Sequence, residues 1–342
     1  MTLARKLRLL FDCETTFAAR DCAGITKAGG FEVRPFESAG TSGLSGAEFD
    51  HVILHYVNYG YQARGIPFGL VPIMTNLRQT CRGRVLTIFH ELYASGAPWK
   101  SAFWLQPVQK RIARTLAQLS EVCVVSSEAM LRDLRRLTSN AKGMVHPVLS
   151  NFGEPDLSPG QFLQRDPHHW TICGGTALIE RSLKSFRKIM NRIPEGMAPR
   201  QLSVFGGNDN SAIRSLLECG IQTDYRPRID PADASSILSA SSFLWLDYFD
   251  RPDVPMEFVL KSTAFAAACA HGVVPIFPQR SSEISIEGDR LPGPFFINAD
   301  SSELPAMDVR PNLAEQFYGW YQRHASSDHL ARGIARALQL TA

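Results

Sequence analysis

The sequence predicts an α/β protein built as two doubly wound, Rossmann-like domains, and three observations carry that prediction. The chain has 342 residues, more than a single hydrophobic core usually supports. Short apolar runs alternate with stretches of helical periodicity, the pattern of a parallel sheet covered on both faces. Near residue 150 the composition turns to Pro, Gly, Ser and Asp, and then the alternation begins again. The expected layout is an N-terminal domain over 1–150, a linker over 151–168, a second domain over 169–312 and closing helices over 313–342.

Taken in order, LRLLF (7–11) and FEVRPF (31–36) are the first strand candidates, with FDCETTFAARDCAGI running from the first into a polar helix. HVILHYV (51–57), RVLTIFH (84–90) and EVCVVSS (121–127) follow, each bounded by turn residues. Between the last two, Val108, Ile112, Leu116 and Leu119 recur at helical spacing, and AMLRDLRRL supplies a second such helix. After the linker come WTICGG, a helix from Arg181 to Ile193, QLSVFGG, a helix through Leu216, QTDYRP, the helix DASSILSAS and FLWLDYF. FVLKSTAFAAACAHGVVPIF (258–277) adds a small-residue helix and a strand. The amphipathic C-terminal stretch is broken near Ser326-Ser327-Asp328. No solenoid repeat or low-complexity tract is present.

Composition narrows the class. At 44% hydrophobic and 20% charged residues, the chain is neither disordered nor built of membrane spans. Residues 1–150 carry 18 Lys/Arg against 11 Asp/Glu, a balance of +7, and the remainder is net acidic. Such a basic half suits a phosphate-bearing substrate or an anionic membrane surface, and ordinary solubility accounts for it equally well. The seven cysteines are scattered, several within apolar runs, without a C-x-x-C pair. MTLARKLRLLFDC is cut short of a signal core by Asp12. Reduced, buried thiols in a cytoplasmic protein, compatible with the inner face of a membrane, are the expectation.

In doubly wound sheets, ligands bind at the loops that follow the strands, so those loops hold the candidates. After RVLTIFH stand His90 and Glu91: a histidine there can bind a sugar hydroxyl or accept a proton near neutral pH, or be a hydrogen-bonded structural residue. After HVILHYV come Tyr59, Gly60 and Tyr61, where Gly60 permits a tight turn and the tyrosines offer flat faces with polar tips, or pack on the next helix. Gly174 and Gly175 let backbone N–H groups approach a ligand, and Arg181 and Lys184 lie one helical turn further on. Both cations can contact a diphosphate, Arg as a fork and Lys as a point charge, and both also fit a solvated helix face. Lys261, Ser262 and Thr263 precede the alanine helix, where Ser262 or Thr263 serves as an N-cap and the helix N-terminus is an anion site. Glycine-rich phosphate motifs, metal-ligand spacings such as D-x-D or HExxH, and the GxSxG elbow are all absent from the sequence.

Three stretches together, HYVNYGYQARGIP (55–67), FHELYASGAPWKSAFW (89–104) and KSTAFAAACAHGVVPIF (261–277), resemble the GT-B glycosyltransferases, specifically the retaining, family 4-like group of bacteria. The resemblance spans most of the chain. It implies two Rossmann-like domains facing across a cleft, with the last helix crossing back onto the N-terminal domain. It also implies transfer of a sugar from a nucleotide-sugar to a hydroxyl of a glycan or lipid-linked acceptor. No metal or other cofactor is implied beyond the nucleotide-sugar co-substrate, and no nucleic-acid partner. By similarity, Arg181 and Lys184 hold the donor diphosphate. Lys261, Ser262 and Thr263 cap a donor phosphate or the transferred sugar, and His90 contacts sugar or acceptor. The family commonly shows a glutamate, seven residues and a second glutamate entering the KSTAF helix. Those places hold Val259 and Ala267 here, with Glu257 out of register. A non-catalytic GT-B module and a nucleotide-sugar epimerase are the alternative readings.

Overall fold

The computed structural model describes residues 1–19, 22, 24–35, 48–94, 96, 98–218, 220–249, 254–280 and 282–340. The chain divides into two compact units, one of residues 1–146 with 327–342 and one of residues 147–326.

The first unit begins with helix α1 (Thr2–Phe11), where LRLLF is expected as a strand. The local pattern explains the correction. Leu3, Ala4 and Leu7 are buried on one side while Leu9 points to solvent, a helical period that also lacks β-branched residues. Asp12 ends the helix in the left-handed region and donates its N–H to the Arg8 carbonyl. The first strand is β1 (Thr16–Ala19), where a polar helix is expected, and it joins β2 (Lys27–Ala28) and β3 (Phe31–Pro35) in a small sheet ordered β1-β3-β2. Phe36, which closes the expected FEVRPF strand, lies outside the described residues.

The main sheet of this unit is parallel and ordered β4-β5-β6-β7, from β4 (Val52–Tyr56), β5 (Val85–Phe89), β6 (Val122–Val125) and β7 (Gly143–Val145). Between them run α2 (Asn58–Tyr61), α3 (Leu70–Thr80), α4 (Ser101–Leu119) and α5 (Glu128–Leu137). Ile112 and Leu116 of α4 are buried in the core with Val85, Phe89 and Val125, and Val108 and Leu119 pack at its edge. Ser127 caps α5 by accepting from Met130 N–H.

The second unit holds α6 (Pro159–Leu163), β8 (His169–Cys173), α7 (Thr176–Ile189), β9 (Gln201–Phe205), α8 (Ser211–Leu216), β10 (Gln222–Arg226), α9 (Pro231–Ala240) and β11 (Phe243–Trp245). It continues through α10 (Thr263–Ala270), β12 (Val274–Phe277), the short pair β13 (Ser285–Ile286) and β14 (Asp289–Arg290), β15 (Phe295–Ile297), β16 (Ser302–Glu303) and α11 (Arg310–His324). Its sheet is ordered β10-β9-β8-β11-β12-β15-β16 and is parallel except for the edge strand β16. The order reverses beside β8, which makes a topological switch point.

Residues 151–168 fall within this unit and are packed onto it. A capping box at Ser158 and Gln161 starts α6, and Phe162 is buried. Tyr318 of α11 donates to the Pro155 carbonyl, and Tyr321 donates to Glu154 while accepting from Ser150 N–H. Arg165 then enters the core. Its guanidinium donates to the carbonyls of Ser241, His271 and Gly272, the residues that follow α9 and α10. Buried Arg310 of α11 donates in turn to the Arg165 carbonyl and the Ser242 hydroxyl.

The last helix, α12 (Ser327–Leu338), belongs to the first unit. Its Asp328 pairs with Lys6 of α1 at 2.5 Å, and its Ala337 carbonyl accepts from Arg84. Leu330, Ile334 and Leu338 form its buried face. Among the described residues, no helix is long and apolar enough to cross a membrane, and six cysteines are free thiols. Burial pushes the Cys123 and Cys173 thiols up to about 12, so both are protonated and inert at neutral pH.

Candidate functional site

At the C-terminal ends of β4 and β5, two loops meet. Gln109, fully buried on α4, ties them: its carbonyl oxygen accepts from Ala94 N–H at 2.7 Å, and its amide donates to the Arg64 carbonyl at 3.3 Å. The left-handed turn in the first loop is at Gly65 (φ 67°), where a Cβ would stand 2.7 Å from the Gln109 amide nitrogen. Gly60 instead lies inside the single helical turn α2, where a Cβ would touch Val57 at 3.3 Å. So the tight turn expected at Gly60 sits five residues later. Tyr61 donates its hydroxyl to the His55 carbonyl and stacks on Tyr56, while Tyr59 is exposed.

His90 continues the β5 ladder, its N–H bonded to the Tyr56 carbonyl. Its ring lies beside His55 of β4, with His90 Nε2 and His55 Nδ1 3.3 Å apart and the rings stacked. One of the two nitrogens must donate and the other accept, so each ring sets the tautomer of its neighbour. Crowding by the surrounding chain first, then the neighbouring His90, lowers His55 from 6.5 toward about 4, while part of its surface stays exposed to solvent. Glu91 is half-buried beside them and is among the charges that, after burial, raise Tyr56. The sequence reading missed His55 and Gln109. A second histidine at a neighbouring strand end was the available signal for the first, and a lone Gln in an apolar helix stripe for the second.

This pair has a pH consequence. With the folded value of His55 below the unfolded one, the unfolded chain takes up the proton first as pH falls. Stability is therefore full above about 6.5 and declines as pH drops toward about 4. His271, also lowered to about 4 by burial, acts with the same sign. Solvent reaching the His55 ring screens part of its share. The expected result is a shallower acid limb in a plot of melting temperature against pH for His55→Asn, with the His271 share retained. An unchanged acid limb would rule out the pairing as its source.

In the second unit, the loops after β8, β9 and β10 form a layer of closely packed backbone. Gly174 has φ 139°, and Gly206 and Gly207 have φ 95° and 63°. A Cβ at Gly206 would lie 2.5 Å from the Gly174 carbonyl oxygen, and one at Gly207 2.8 Å from the Thr176 nitrogen. Only glycine allows that approach. Gly175, the residue before α7, has nothing within 4 Å of where a Cβ would stand, and no side chain caps this 14-residue helix. Its first N–H groups therefore lack a side-chain acceptor, with Thr176 N packed against Gly207 of the neighbouring loop. Arg228, in the loop after β10, is exposed and holds a left-handed conformation (φ 53°), a strained geometry for a non-glycine residue that the sequence did not reveal.

Arg181 and Lys184 stand a turn further along α7 with different commitments. The Arg181 guanidinium donates to the Asp247 and Tyr248 carbonyls at 2.7 and 2.5 Å, holding the chain after β11. Lys184 pairs with Glu180 at 2.5 Å on an exposed helix face, an interaction worth little in solvent. At α10, Ser262 is the N-cap: its buried hydroxyl accepts from Phe265 N–H at 3.3 Å. Lys261 and Thr263, on either side, are half-buried. Val259 and Ala267 are both 0% exposed. Among the described residues, no group of three His, Cys, Asp or Glu is placed to hold a metal ion.

No protein-family model and no curated protein sequence matches the chain. Solved structures do match it. An alpha-glucosyltransferase (AGT) in complex with UDP aligns over 99% of this chain and 95% of its own, with a TM-score of 0.56 and 11% identity. WaaG, a glycosyltransferase involved in lipopolysaccharide biosynthesis, aligns over 100% and 94%, with a TM-score of 0.50 and 12% identity. The fold is GT-B. The chain spans about half, 54%, of the length of the chain it matches in a GtfA/B complex, where the TM-score is 0.48 and the identity 11%. In GT-B terms, the glycine layer at Gly174 and the α10 cap belong to the second unit, and the His55–His90 pair belongs to the first.

Proposed function

We propose that this chain is a glycosyltransferase that moves a sugar from a nucleotide-sugar onto a hydroxyl of a glycan or lipid-linked acceptor. The observation that carries the reading is a GT-B fold, matched along the whole chain by glucosyl- and glycosyltransferases, whose β8 ends at an uncapped, glycine-lined helix N-terminus. Such a terminus suits the diphosphate of a donor. In this reading the second unit is the donor side and the first, with His90, Glu91, Tyr59, Gly60 and Tyr61, the acceptor side. The family 4-like, retaining, metal-independent assignment and cytoplasmic placement are part of the proposal.

The chemistry follows from that assignment. The bond between the anomeric carbon and the diphosphate oxygen breaks while the acceptor oxygen bonds to the same face of that carbon. The acceptor proton passes to the departing phosphate oxygen. Charge grows on the leaving group, so the useful protein groups are cations and helix N-termini. Gly174 and Gly175 let the α7 N-terminus approach the phosphates, and Lys184 and Lys261 supply charge. Ser262 orders α10, so that Thr263 and Lys261 meet the donor. Arg181 acts by fixing the Asp247–Tyr248 carbonyls. His90, oriented by His55, accepts a hydrogen bond from, or donates one to, a hydroxyl of sugar or acceptor.

A thermal-shift panel of UDP-, GDP-, ADP- and dTDP-sugars tests this. Binding to the folded state is expected to raise the melting temperature for one nucleotide, by about 2.7 kcal/mol of stability at a hundredfold excess over Kd. Lys261→Ala is expected to lose most of that shift. No shift with any donor at millimolar concentration sinks the reading. A second reading, a GT-B module that binds donor without catalysis, draws on the buried apolar residues at 259 and 267. A donor-induced shift with no hydrolysis and no transfer to any acceptor would favour it.

A further inference from the structure

Exposed aromatic side chains gather at one short turn of the first unit. Trp99 is 84% exposed, Trp104 70% and Phe103 41%, all within six residues at the start of α4. Phe68, on the loop that Gln109 ties to the one before this turn, is 65% exposed. Isolated exposed aromatics are ordinary, but a concentration of this size marks a contact surface. The turn is also built rather than loose. The Trp104 indole N–H donates to the Pro98 carbonyl at 2.8 Å, Phe103 packs edge-on against Trp104, and Phe103 N–H bonds to the Lys100 carbonyl. With its N–H already satisfied, the Trp104 ring can leave water without stranding a donor.

Charge identifies the partner. Residues 51–120 contain eight Lys/Arg and a single acidic residue, Glu91; Arg78 and Arg82 pair with Glu121 and Asp50 just beyond this stretch, which leaves six cations, Arg64 and Lys100 among them. Arg64 and Lys100 lie exposed in the two loops. Helix α4 opens with no acidic residue in its first turn and no side-chain cap, so its positive end is uncompensated within the helix. Aromatic rings beside basic groups and a positive helix end match a layer with an apolar interior under a negatively charged surface.

We propose that the Pro98–Trp104 turn and the neighbouring Arg64–Phe68 loop dock on an anionic lipid bilayer. Trp99, Phe103 and Trp104 enter the headgroup layer while Arg64, Lys100 and the α4 N-terminus meet lipid phosphates. This does not depend on which sugar, if any, is transferred.

The experiment is co-sedimentation of the full chain with phosphatidylcholine vesicles, with and without phosphatidylglycerol, alongside quenching of tryptophan emission by brominated lipid. The protein is expected to pellet with the anionic vesicles, to release at high salt, and to show quenching. Trp99→Ser/Trp104→Ser is expected to abolish pelleting and quenching while keeping the wild-type melting temperature, since both side chains are exposed. Arg64→Ala and Lys100→Ala are each expected to weaken binding about fivefold. Wild-type protein that stays in the supernatant with anionic vesicles overturns the proposal. So does a double tryptophan variant that pellets like wild type, or a surface that captures a soluble protein or glycan and ignores vesicles.

Discussion

Arg165→Ala is expected to destabilise the second unit by about 3–5 kcal/mol, read as a lowered midpoint of urea unfolding. Arg165 is 5% exposed, and among its described contacts it has carbonyl oxygens where a buried arginine usually has a carboxylate. Burial first, then the nearby Arg310, lowers its pKa to about 10, which still leaves it charged at neutral pH. What holds the charge is the set of carbonyls at Ser241, His271 and Gly272, beyond the ends of α9 and α10, where helix dipoles concentrate negative potential. Removing the guanidinium strands those acceptors in the core and opens a cavity beside Phe162, whose ring lies 5.0 Å from the Arg165 guanidinium carbon. Relief of the Arg310 repulsion offsets part of the loss. Arg165→Lys keeps the charge but cannot fork across two loops, so it is expected to fall between wild type and alanine. An alanine variant within about 1 kcal/mol of wild type would show that the carbonyls find other donors.

Ala267→Glu is expected to cost at least about 3 kcal/mol or to prevent folding. This is the place where family 4 enzymes commonly hold the second glutamate, so the variant asks whether that residue could simply be restored. Every residue of α10 from Ala264 to Ala270 is buried, and Ala267 is 0% exposed. Its carbonyl accepts both the N–H and Nδ1 of His271. A carboxylate there has no water and no partner, so it must either take up a proton or push α10 from the sheet. Ala267→Gln separates size from charge: comparable losses for Gln and Glu point to volume, and a much larger loss for Glu points to charge. If Ala267→Glu folds with wild-type stability and tightens nucleotide-sugar binding, the position opens toward a donor and the buried reading of α10 is wrong.

The donor-side features at α10 were legible because they are local. Ser262 before a run of alanines reads as a cap, and it is one, with a buried hydroxyl that accepts from Phe265 N–H. The glycine pairs after WTIC and QLSVF announced turns, and Gly174, Gly206 and Gly207 adopt backbone conformations that only glycine takes without strain. The alternation of apolar runs with helical periods predicted β4 to β6, β8 to β12 and the helices α4, α5 and α7 to α10, because side-chain period is a property of a few consecutive residues. It failed at α1. There, five apolar and basic residues fit either period, and what decided was the buried face formed by Leu3, Ala4 and Leu7 together.

The sequence by itself determined the class of fold, the alternation of strands and helices from β4 onward and the places where those strands end in polar loops. Tertiary structure decided what those loops do. His55 and His90 stand 35 residues apart and meet because β4 and β5 are parallel neighbours, Tyr56 opposite Phe89, a pairing that no local pattern specifies. Arg181 reads as a free cation on a helix face, yet it is turned to the Asp247 and Tyr248 carbonyls by the adjacency of β8 and β11. Arg165 reads as part of a linker and proves to be the donor that holds the chain after α9 and α10. In each case the chain specifies the donor or the charge, and strand order, a long-range property, specifies the partner.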